Sequence, residues 1–222
     1  MLRDFTRVNR SILAAGSYYS TLAPWYDLLA SSEKKYIKSG LELLNPQPGE
    51  LILEIGFGTG FAQLRIADSV VDGFSIGLDL SPGMAAIAQE KLGRSASRAR
   101  AGLVCSDSLP IPLKTNSVDG IFSSFTLELF DSPLIPDLLG ECRRTLTPGG
   151  RMVVVSLSKD QPLPWMGRLY EILHNRCPRL LDCRPIPVKA LLESSGFEVQ
   201  DSNIENMWGL PVIIAQARPT LE

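Results

Sequence analysis

The pattern of apolar and polar positions predicts alternating strands and helices along most of the chain. Residues 51–55 form an almost wholly apolar run, as expected of a strand buried on both faces of a parallel sheet. Three glycines at alternate positions follow, and from residue 61 the apolar residues have helical spacing. A strand, a glycine-rich turn and a helix in this order open a βαβ unit that binds nucleotides.

The spacing of the glycines narrows the choice of ligand. The motif reads Glu54-x-Gly56-x-Gly58-x-Gly60. It does not complete the G-x-G-x-x-G fingerprint of dinucleotide-binding folds, and it lacks the Gly-Lys-Ser/Thr of a P-loop. It resembles the first motif of the class I S-adenosylmethionine-dependent methyltransferases. Phe57 departs from that motif, which more often has a small residue there, and it could crowd the methionine part of the cofactor.

The remaining apolar segments predict the rest of such a fold. Strands are expected at residues 73–81, 101–105, 117–125, 151–155, 196–199 and 211–217, and helices at 24–44, 82–93, 138–146, 163–174 and 188–195. The last two strands are too close for a crossover helix, so they should pair antiparallel. We therefore predict a Rossmann-like, doubly wound α/β fold with a mostly parallel seven-stranded sheet and an antiparallel C-terminal hairpin. The resemblance implies the same hairpin, and a Pro-Gly-Gly turn before the fifth strand.

Asp79 ends the second predicted strand, 19 residues (79 − 60) after Gly60. At that distance in such folds a carboxylate accepts hydrogen bonds from the hydroxyls of a bound ribose. An ionised Asp is an acceptor only, which suits two vicinal hydroxyls. The competing interpretation is that Asp79 caps the next helix, but Ser81-Pro82 can begin that helix themselves.

The resemblance implies further contacts with S-adenosylmethionine, whose product is S-adenosylhomocysteine. Asp107 would face the adenine amino group, although it could instead form an Asx turn before Pro110. The end of the fourth strand, at residues 123–128, would open beside the methyl group. The implied cofactor-binding residues are Tyr18, Tyr26, Glu54, Gly56, Gly58, Gly60, Asp79, Leu80, Met84, Asp107, Ser108, Leu109 and Ser124.

The sequence identifies no catalytic residue. Methyl transfer from a sulfonium needs a base only where the acceptor is protonated at pH 7, as a phenol or a ring carbon is. His174, the only histidine, and Glu128, at the end of the fourth strand, are the two candidates. A lone histidine is more often structural than catalytic.

Composition excludes several classes of protein. The 222 residues carry 22 basic and 24 acidic side chains, so there is no global charge for binding nucleic acid. No apolar run approaches the ~18 residues of a membrane span, and arginines near the N-terminus oppose a signal peptide. Four cysteines without a C-x-x-C pair suit the reducing cytoplasm and predict no metal site. Cys105 is expected to be a buried core thiol.

We interpret residues 1–45 as an N-terminal helical lid and residues 46–222 as the cofactor-binding domain, with a substrate-side insertion at about 160–187. Residues 18–27 resemble the segment that closes over the cofactor in methyltransferases of ubiquinone and menaquinone biosynthesis. The alternative for this segment is aromatic packing. The first 20 residues could form a basic amphipathic helix on a membrane surface, or pack on their own domain. The oligomeric state is not predicted.

The resemblance implies methyl transfer to a small acceptor, lipophilic or aromatic, such as a quinone precursor or a phospholipid-like molecule. Trp165, Leu169 and Leu173 of the insertion would suit such an acceptor, although this stripe is more often core packing. One alternative is an arsenite methyltransferase, for which Cys105, Cys177 and Cys183 would have to converge. Another is a noncatalytic, regulatory module that only binds the cofactor.

Overall fold

A computed structural model describes residues 32–160 and 184–220. The strands of this part of the chain are Leu51–Ile55 (β1), Phe74–Asp79 (β2), Ala101–Cys105 (β3), Val118–Ser124 (β4), Leu146–Leu157 (β5), Phe197–Met207 (β6) and Leu210–Pro219 (β7). The α-helices are Lys34–Leu44 (α1), Phe61–Ser69 (α2), Pro82–Gly93 (α3), Ile135–Thr145 (α4) and Val188–Ser194 (α5). Short 3₁₀ turns occur at Arg98–Arg100, Leu127–Leu129 and Ser132–Leu134.

The strands form one seven-stranded sheet in the order β3-β2-β1-β4-β5-β7-β6. Strands β1 to β5 are parallel, and β7 lies antiparallel between β5 and β6. The predicted fold class is confirmed, including the antiparallel terminal hairpin. Because the parallel strands all end at one edge of the sheet, the loops after β1, β2, β3 and β4 meet there.

A two-residue turn closes the terminal hairpin. Trp208 and Gly209 both have positive φ, at 54° and 85°, as a type I′ turn requires. Gly209 also donates its N–H to Oδ1 of Asn206 at 2.7 Å. Since β6 runs antiparallel to β7 and β7 antiparallel to β5, this turn lies at the same sheet edge as the carboxyl ends of the parallel strands. Trp208 is 70% exposed there.

Two apolar clusters cover the two faces of the sheet. On one face α4 and α5 pack through Leu138, Leu139 and Leu192. On the other face α1 and α2 pack, with Tyr36 and Leu44 fully buried. Helix α1 thus belongs to the core of the sheet domain, because its apolar face is covered by β5 and β7.

The structure differs from the sequence predictions in three places. The edge strand β6 continues to Met207, well beyond the predicted residue 199. The expected Pro-Gly-Gly turn lies within β5, where the ladder to β4 shifts register. Cys105 is exposed rather than buried, because β3 is the other edge strand of the sheet. None of the helices in the described ranges is long and apolar enough to cross a membrane.

Candidate active site

The loop between β1 and α2 depends on glycine for three different reasons. Gly56, Gly58 and Gly60 all have positive φ, a conformation that other residues rarely adopt. A Cβ on Gly56 would overlap the side chain of Thr126, and one on Gly60 would lie 2.9 Å from Cβ of Ala88. A Cβ on Gly58 would meet no atom of the described residues within 4 Å. Two of the glycines therefore serve packing, and Gly58 keeps the backbone free on the side where a ligand can approach.

Asp79 is joined to this loop by a hydrogen bond. Its Oδ2 accepts the backbone N–H of Gly58 at 2.8 Å, and its Oδ1 accepts the backbone N–H of Ser81 at 2.8 Å. Burial raises the pKa of Asp79 above its ordinary value, and these N–H groups offset only part of that effect. A carboxylate has about four lone-pair sites, and the N–H groups of Ser81, Gly58 and Leu80 use three of them, so Asp79 keeps acceptor capacity for a further hydroxyl donor.

Helix α3 is capped by Ser81 and not by Asp79. The Ser81 hydroxyl accepts the N–H of Met84 at 3.2 Å, and Pro82 occupies the first helical position. The prediction that Ser81-Pro82 begin this helix is confirmed. The carboxylate of Asp79 is consequently not needed for capping.

A pocket lies between the glycine loop, the end of β4 and the start of α1. Its walls are Glu33, Lys34, Ile37, Glu54, Gly56, Phe57, Gly58, Thr59, Phe61, Ala62 and Ser124. Glu54 is 1% exposed, and its Oε2 has no hydrogen-bond partner in residues 32–160 and 184–220. Burial, and then the charge of Asp79, raise the pKa of Glu54 well above its ordinary value. The pocket therefore presents an acidic group that is ready to interact with a donor or a cation.

Phe57 does not need to crowd this pocket, because its ring has a place against the sheet. It is 3% exposed and packs against Gly77 of β2, where a Cβ would lie 2.7 Å from the ring. Gln63 of α2 approaches the same glycine. The ring of Phe57 therefore occupies the space that a side chain at position 77 would fill.

A second acidic group lies close to the pocket. Glu128 is fully buried and accepts the hydroxyl of Ser156 at 2.8 Å and the N–H of Leu157 at 3.3 Å. Burial raises its pKa to about 7, although these bonds and the charge of Arg184 act in the opposite direction. In the pocket wall, burial and then the charge of Glu128 raise the pKa of Glu33 to about 8. The carboxyl groups of Glu33 and Glu128, which are 95 residues apart in the sequence (128 − 33), thus interact electrostatically.

The segment after β3 forms the local turn that the sequence left as an alternative. Asp107 is exposed, and its Oδ1 accepts the N–H of Leu109 at 3.3 Å. Ser108 is 3% exposed with a φ of 64°. An Asx turn is therefore present, and a role for Asp107 and its neighbours toward adenine stays a prediction.

Comparison with known proteins agrees with this geometry. A family model described as "Methyltransferase domain" matches residues 52–150. A malonyl-[acyl-carrier protein] O-methyltransferase from Marinomonas sp. is 32% identical over 68% of this chain and 54% of its own length. A demethylmenaquinone methyltransferase from Thermus thermophilus is 25% identical over 82% of this chain and 92% of its own length. The chain belongs to the class I S-adenosylmethionine-dependent methyltransferases.

The methyltransferase fold has a wider use than the family name suggests. The [4+2]-cyclase SpnF superposes with a TM-score of 0.76 at 18% identity, over 96% of this chain and 98% of that one. This likeness shows the fold alone, and that protein is named for a cyclisation. The chain spans only about half the length of the Marinomonas relative.

The residues present fit the cofactor of this methyltransferase family, S-adenosylmethionine. Gly58 leaves room for a ligand beside the backbone. Asp79 has acceptor capacity for ribose hydroxyls, and Glu54, whose Oε2 has no partner in the described part of the chain, lines the pocket. Ser124, also predicted, lines the same pocket. Leu80 and Met84 follow Asp79 along the chain, and their roles toward the cofactor stay predictions.

Two residues of this site, and one in the β6–β7 turn, were not found from the sequence. Glu33 precedes the first described helix, and only the folded chain brings it to the glycine loop. Thr126 is specified by its packing on Gly56. Trp208 stands out only as an aromatic residue in a hairpin turn, a signal that the sequence did contain.

Several predicted residues lie outside the described part of the chain. They are Tyr18 and Tyr26 for the cofactor, His174 as a base, and Cys177 and Cys183 for arsenite chemistry. Among the described residues, no cluster of three or more histidine, cysteine or acidic side chains could hold a metal ion.

Proposed function

We propose that this chain transfers the methyl group of S-adenosylmethionine to a small acceptor that is lipophilic or aromatic, such as a quinone precursor. The observation that carries the proposal is the bond between Asp79 and the Gly58 backbone, which joins a ribose acceptor to the open loop. The pocket at Glu54 and Ser124 continues from that loop toward the end of β4. This arrangement supports a nucleoside at one end of the site and the reactive methyl group at the other.

The sulfonium of the bound cofactor supplies an activated methyl group with its own leaving group. The residues of the chain then have mainly to position the acceptor about 3 Å from the methyl carbon, in line with the bond that breaks. The loop at Gly58 and the acid Asp79 fix the nucleoside, and the apolar walls Ile37, Phe57 and Phe61 limit the access of water.

The charge of the pocket favours a neutral acceptor over an anionic one. The two relatives compared above are named for malonyl-[acyl-carrier protein] and for demethylmenaquinone. Glu33 and Glu54 lie in the pocket wall, so a carboxylate acceptor would meet like charges when they ionise. A quinol or phenol carries no such charge at pH 7. This supports a quinone-type acceptor.

The β6–β7 turn lies at the carboxyl ends of the parallel strands, as the pocket does, and it offers apolar surface to such an acceptor. Trp208 is 70% exposed at the β6–β7 turn. The same hairpin is tied to α1, because the hydroxyl of Tyr36 donates to the carbonyl oxygen of Asn206 at 2.5 Å. Tyr36 in turn contacts Phe125 edge to face. An exposed indole at this edge is suited to stack on an aromatic ring.

Glu33 is the best-placed base among the described residues. It lines the pocket, and its pKa of about 8 lies close to the working pH, as an efficient base requires. Glu128 is fully buried and bonded to Ser156 and Leu157, so it acts on Glu33 rather than on the acceptor. The earlier candidate Glu128 thus becomes a positioning residue in this proposal.

The test is turnover with a matched set of acceptors. We would incubate the purified protein with S-adenosylmethionine and one acceptor, and measure S-adenosylhomocysteine. The acceptors are a demethylated quinol, a phenol and a malonyl thioester. We expect product with the quinol or the phenol, and Trp208→Ala should raise KM for the aromatic acceptor. Product with the malonyl thioester alone would contradict the acceptor class.

A second candidate function is binding of the cofactor without methyl transfer. The same fold occurs in a [4+2]-cyclase, a protein that is named for a reaction other than methyl transfer. A protein of this kind binds S-adenosylmethionine but forms no S-adenosylhomocysteine with any acceptor.

The arsenite alternative would require turnover with arsenite that Cys105→Ser abolishes. The N-terminal lid, contact of that segment with a membrane and a cytoplasmic location also stay predictions.

A further inference from the structure

The pocket beside the glycine loop has an acidic wall built from distant parts of the chain. Glu54 on β1 and Glu33 before α1 line it, and Glu128 lies close enough to Glu33 to influence its charge. Glu54 lines this pocket, and its Oε2 is buried without a hydrogen-bond partner among the described residues. A buried carboxyl oxygen of this kind indicates a ligand group that completes its interactions.

Glu54 is surrounded by more negative than positive charge. Asp79 of β2 is the charged group that acts on it most clearly. Glu33 and Lys34 from the start of α1 share its pocket. The ammonium group of Lys34 lies 5.5 Å from the centre of the Phe61 ring, where it makes a cation–π contact.

The charged groups near Glu33 interact pairwise, each with the next. Glu128 raises the pKa of Glu33, and Arg184 acts on Glu128 in the opposite direction. Arg184 donates a hydrogen bond to the carbonyl oxygen of Phe130 at 2.8 Å and interacts with Asp131. The charge of Arg184 is thus shared between two acids, and Lys34 is the one basic residue among the described residues that line the pocket.

We propose that Glu33 and Glu54 release protons when a sulfonium group occupies this pocket and retain them when a neutral thioether does. The protein would then adjust the charge of its pocket to the charge of the cofactor. This inference rests on the proposed function, because it assumes that the pocket holds the methionine part of the cofactor.

The direction of the effect follows from the electrostatics. Burial first, and then a neighbouring acid, raise the pKa of Glu33 to about 8 and that of Glu54 well above its ordinary value. Near pH 7 Glu33 is therefore mostly protonated in the free protein, and Glu54 keeps its proton to a higher pH than an ordinary carboxyl group. A positive charge in the pocket favours the ionised form and lowers both pKa values. Binding of the sulfonium thus releases protons, and its affinity rises with pH up to about pH 8.

The same coupling assists the reaction with a hydroxyl acceptor. The carbon–sulfur bond breaks with its electron pair remaining on sulfur, and the acceptor oxygen bonds to the methyl carbon. The proton of the hydroxyl passes to the carboxylate of Glu33. Once the pocket holds a thioether, the pKa of Glu33 returns to its raised value, so the proton is retained as the product forms.

Isothermal titration calorimetry in phosphate and in Tris at pH 7 tests the proposal. The buffer dependence of the enthalpy gives the number of protons released on binding. We expect S-adenosylmethionine to release about 0.5 to 1 proton more than S-adenosylhomocysteine. The two ligands share ribose, adenine and amino acid groups, so the contribution of Asp79 cancels in the difference. Equal proton release by the two ligands would overturn the proposal, even with turnover intact.

Substitutions of Glu33 and Glu54 identify which of the two carboxyl groups releases the proton when the sulfonium binds. Glu33→Gln should remove most of the difference in proton release between the two ligands, and Glu54→Gln the remainder. Glu42→Gln is the matched control, because Glu42 is an exposed residue of the same helix, and it should behave as wild type. An unchanged difference in both pocket variants would place the proton elsewhere and contradict the assignment. Failure of the wild type to bind either ligand would instead refute the proposed function.

Discussion

Oδ2 of Asp79 accepts the backbone N–H of Gly58 at 2.8 Å, so the acid at the end of β2 also fixes the loop after β1. Asp79 ends β2, and Gly58 lies in the loop that follows the neighbouring parallel strand β1, so both residues are at the carboxyl ends of the strands. Asp79 therefore has two functions in this proposal, binding of ribose and positioning of the loop. Its replacement should affect both.

Asp79→Asn should weaken the binding of S-adenosylhomocysteine by about 10-fold or more. The amide has one acceptor oxygen instead of two, and hydrogen bonds to a charged acceptor contribute about 1.5–3 kcal/mol each. Calorimetry checks the affinity. Asp72→Asn is the control, because Asp72 is exposed at the other end of β2 and has a positive φ that Asn tolerates. Equal affinities of the two variants would refute the ribose assignment.

Gly58→Ala and Gly60→Ala should fail in different ways. Both introduce a Cβ at a positive φ, at a cost of about 1 kcal/mol. At Gly60 the new atom also overlaps Ala88, so this variant should have the lower melting temperature. At Gly58 it enters open space beside the backbone, so that variant should stay folded and lose cofactor binding. Thermal melting with and without S-adenosylhomocysteine separates the two, and retained binding by Gly58→Ala would contradict the placement of the ligand.

Glu128 should make the protein less stable as the pH rises from 5 to 8. Its pKa is about 7 in the folded protein and 4.5 ordinarily, so between these values the folded state holds a proton that the unfolded state has lost. Stability therefore falls with rising pH, by on the order of 2 kcal/mol. Urea unfolding should show this slope reduced in Glu128→Gln, whose amide oxygen can still accept from Ser156. The exposed Glu193→Gln should keep the wild-type slope.

Arg151 should stabilise the fold far more than an ordinary surface arginine. Its guanidinium bonds both carboxylate oxygens of Glu50 at 2.8 Å and the carbonyl oxygens of Leu44 and Asn45, where α1 ends. Arg151→Ala should lower the free energy of unfolding by about 2–3 kcal/mol. Arg94→Ala, which breaks a mostly exposed pair, should cost about 0–1 kcal/mol. Similar losses in the two variants would show that the Arg151 network contributes little.

The sequence alone determined the elements and the topology around the glycine loop. Residues 51–55 and 82–93 match β1 and α3 to the residue. Such elements are set by local properties: apolar runs, the positive φ that glycine permits, and the cap formed by Ser81 and Pro82. The acid Asp79 was also predicted, because strand length and helix length fix its distance from the loop.

Only the tertiary structure decided which distant residues share the site. Glu33 reaches the pocket and the neighbourhood of Glu128 because α1 packs on the same sheet face as the side chain of Glu54. Cys105 is exposed because β3 forms an edge of the sheet, although its apolar sequence resembles that of a central strand. Burial, and the pKa values that follow from it, depend on what packs against a residue. The periodicity of apolar residues shows which residues share one face of a helix or strand. Strand order and helix packing determine which other residues cover that face.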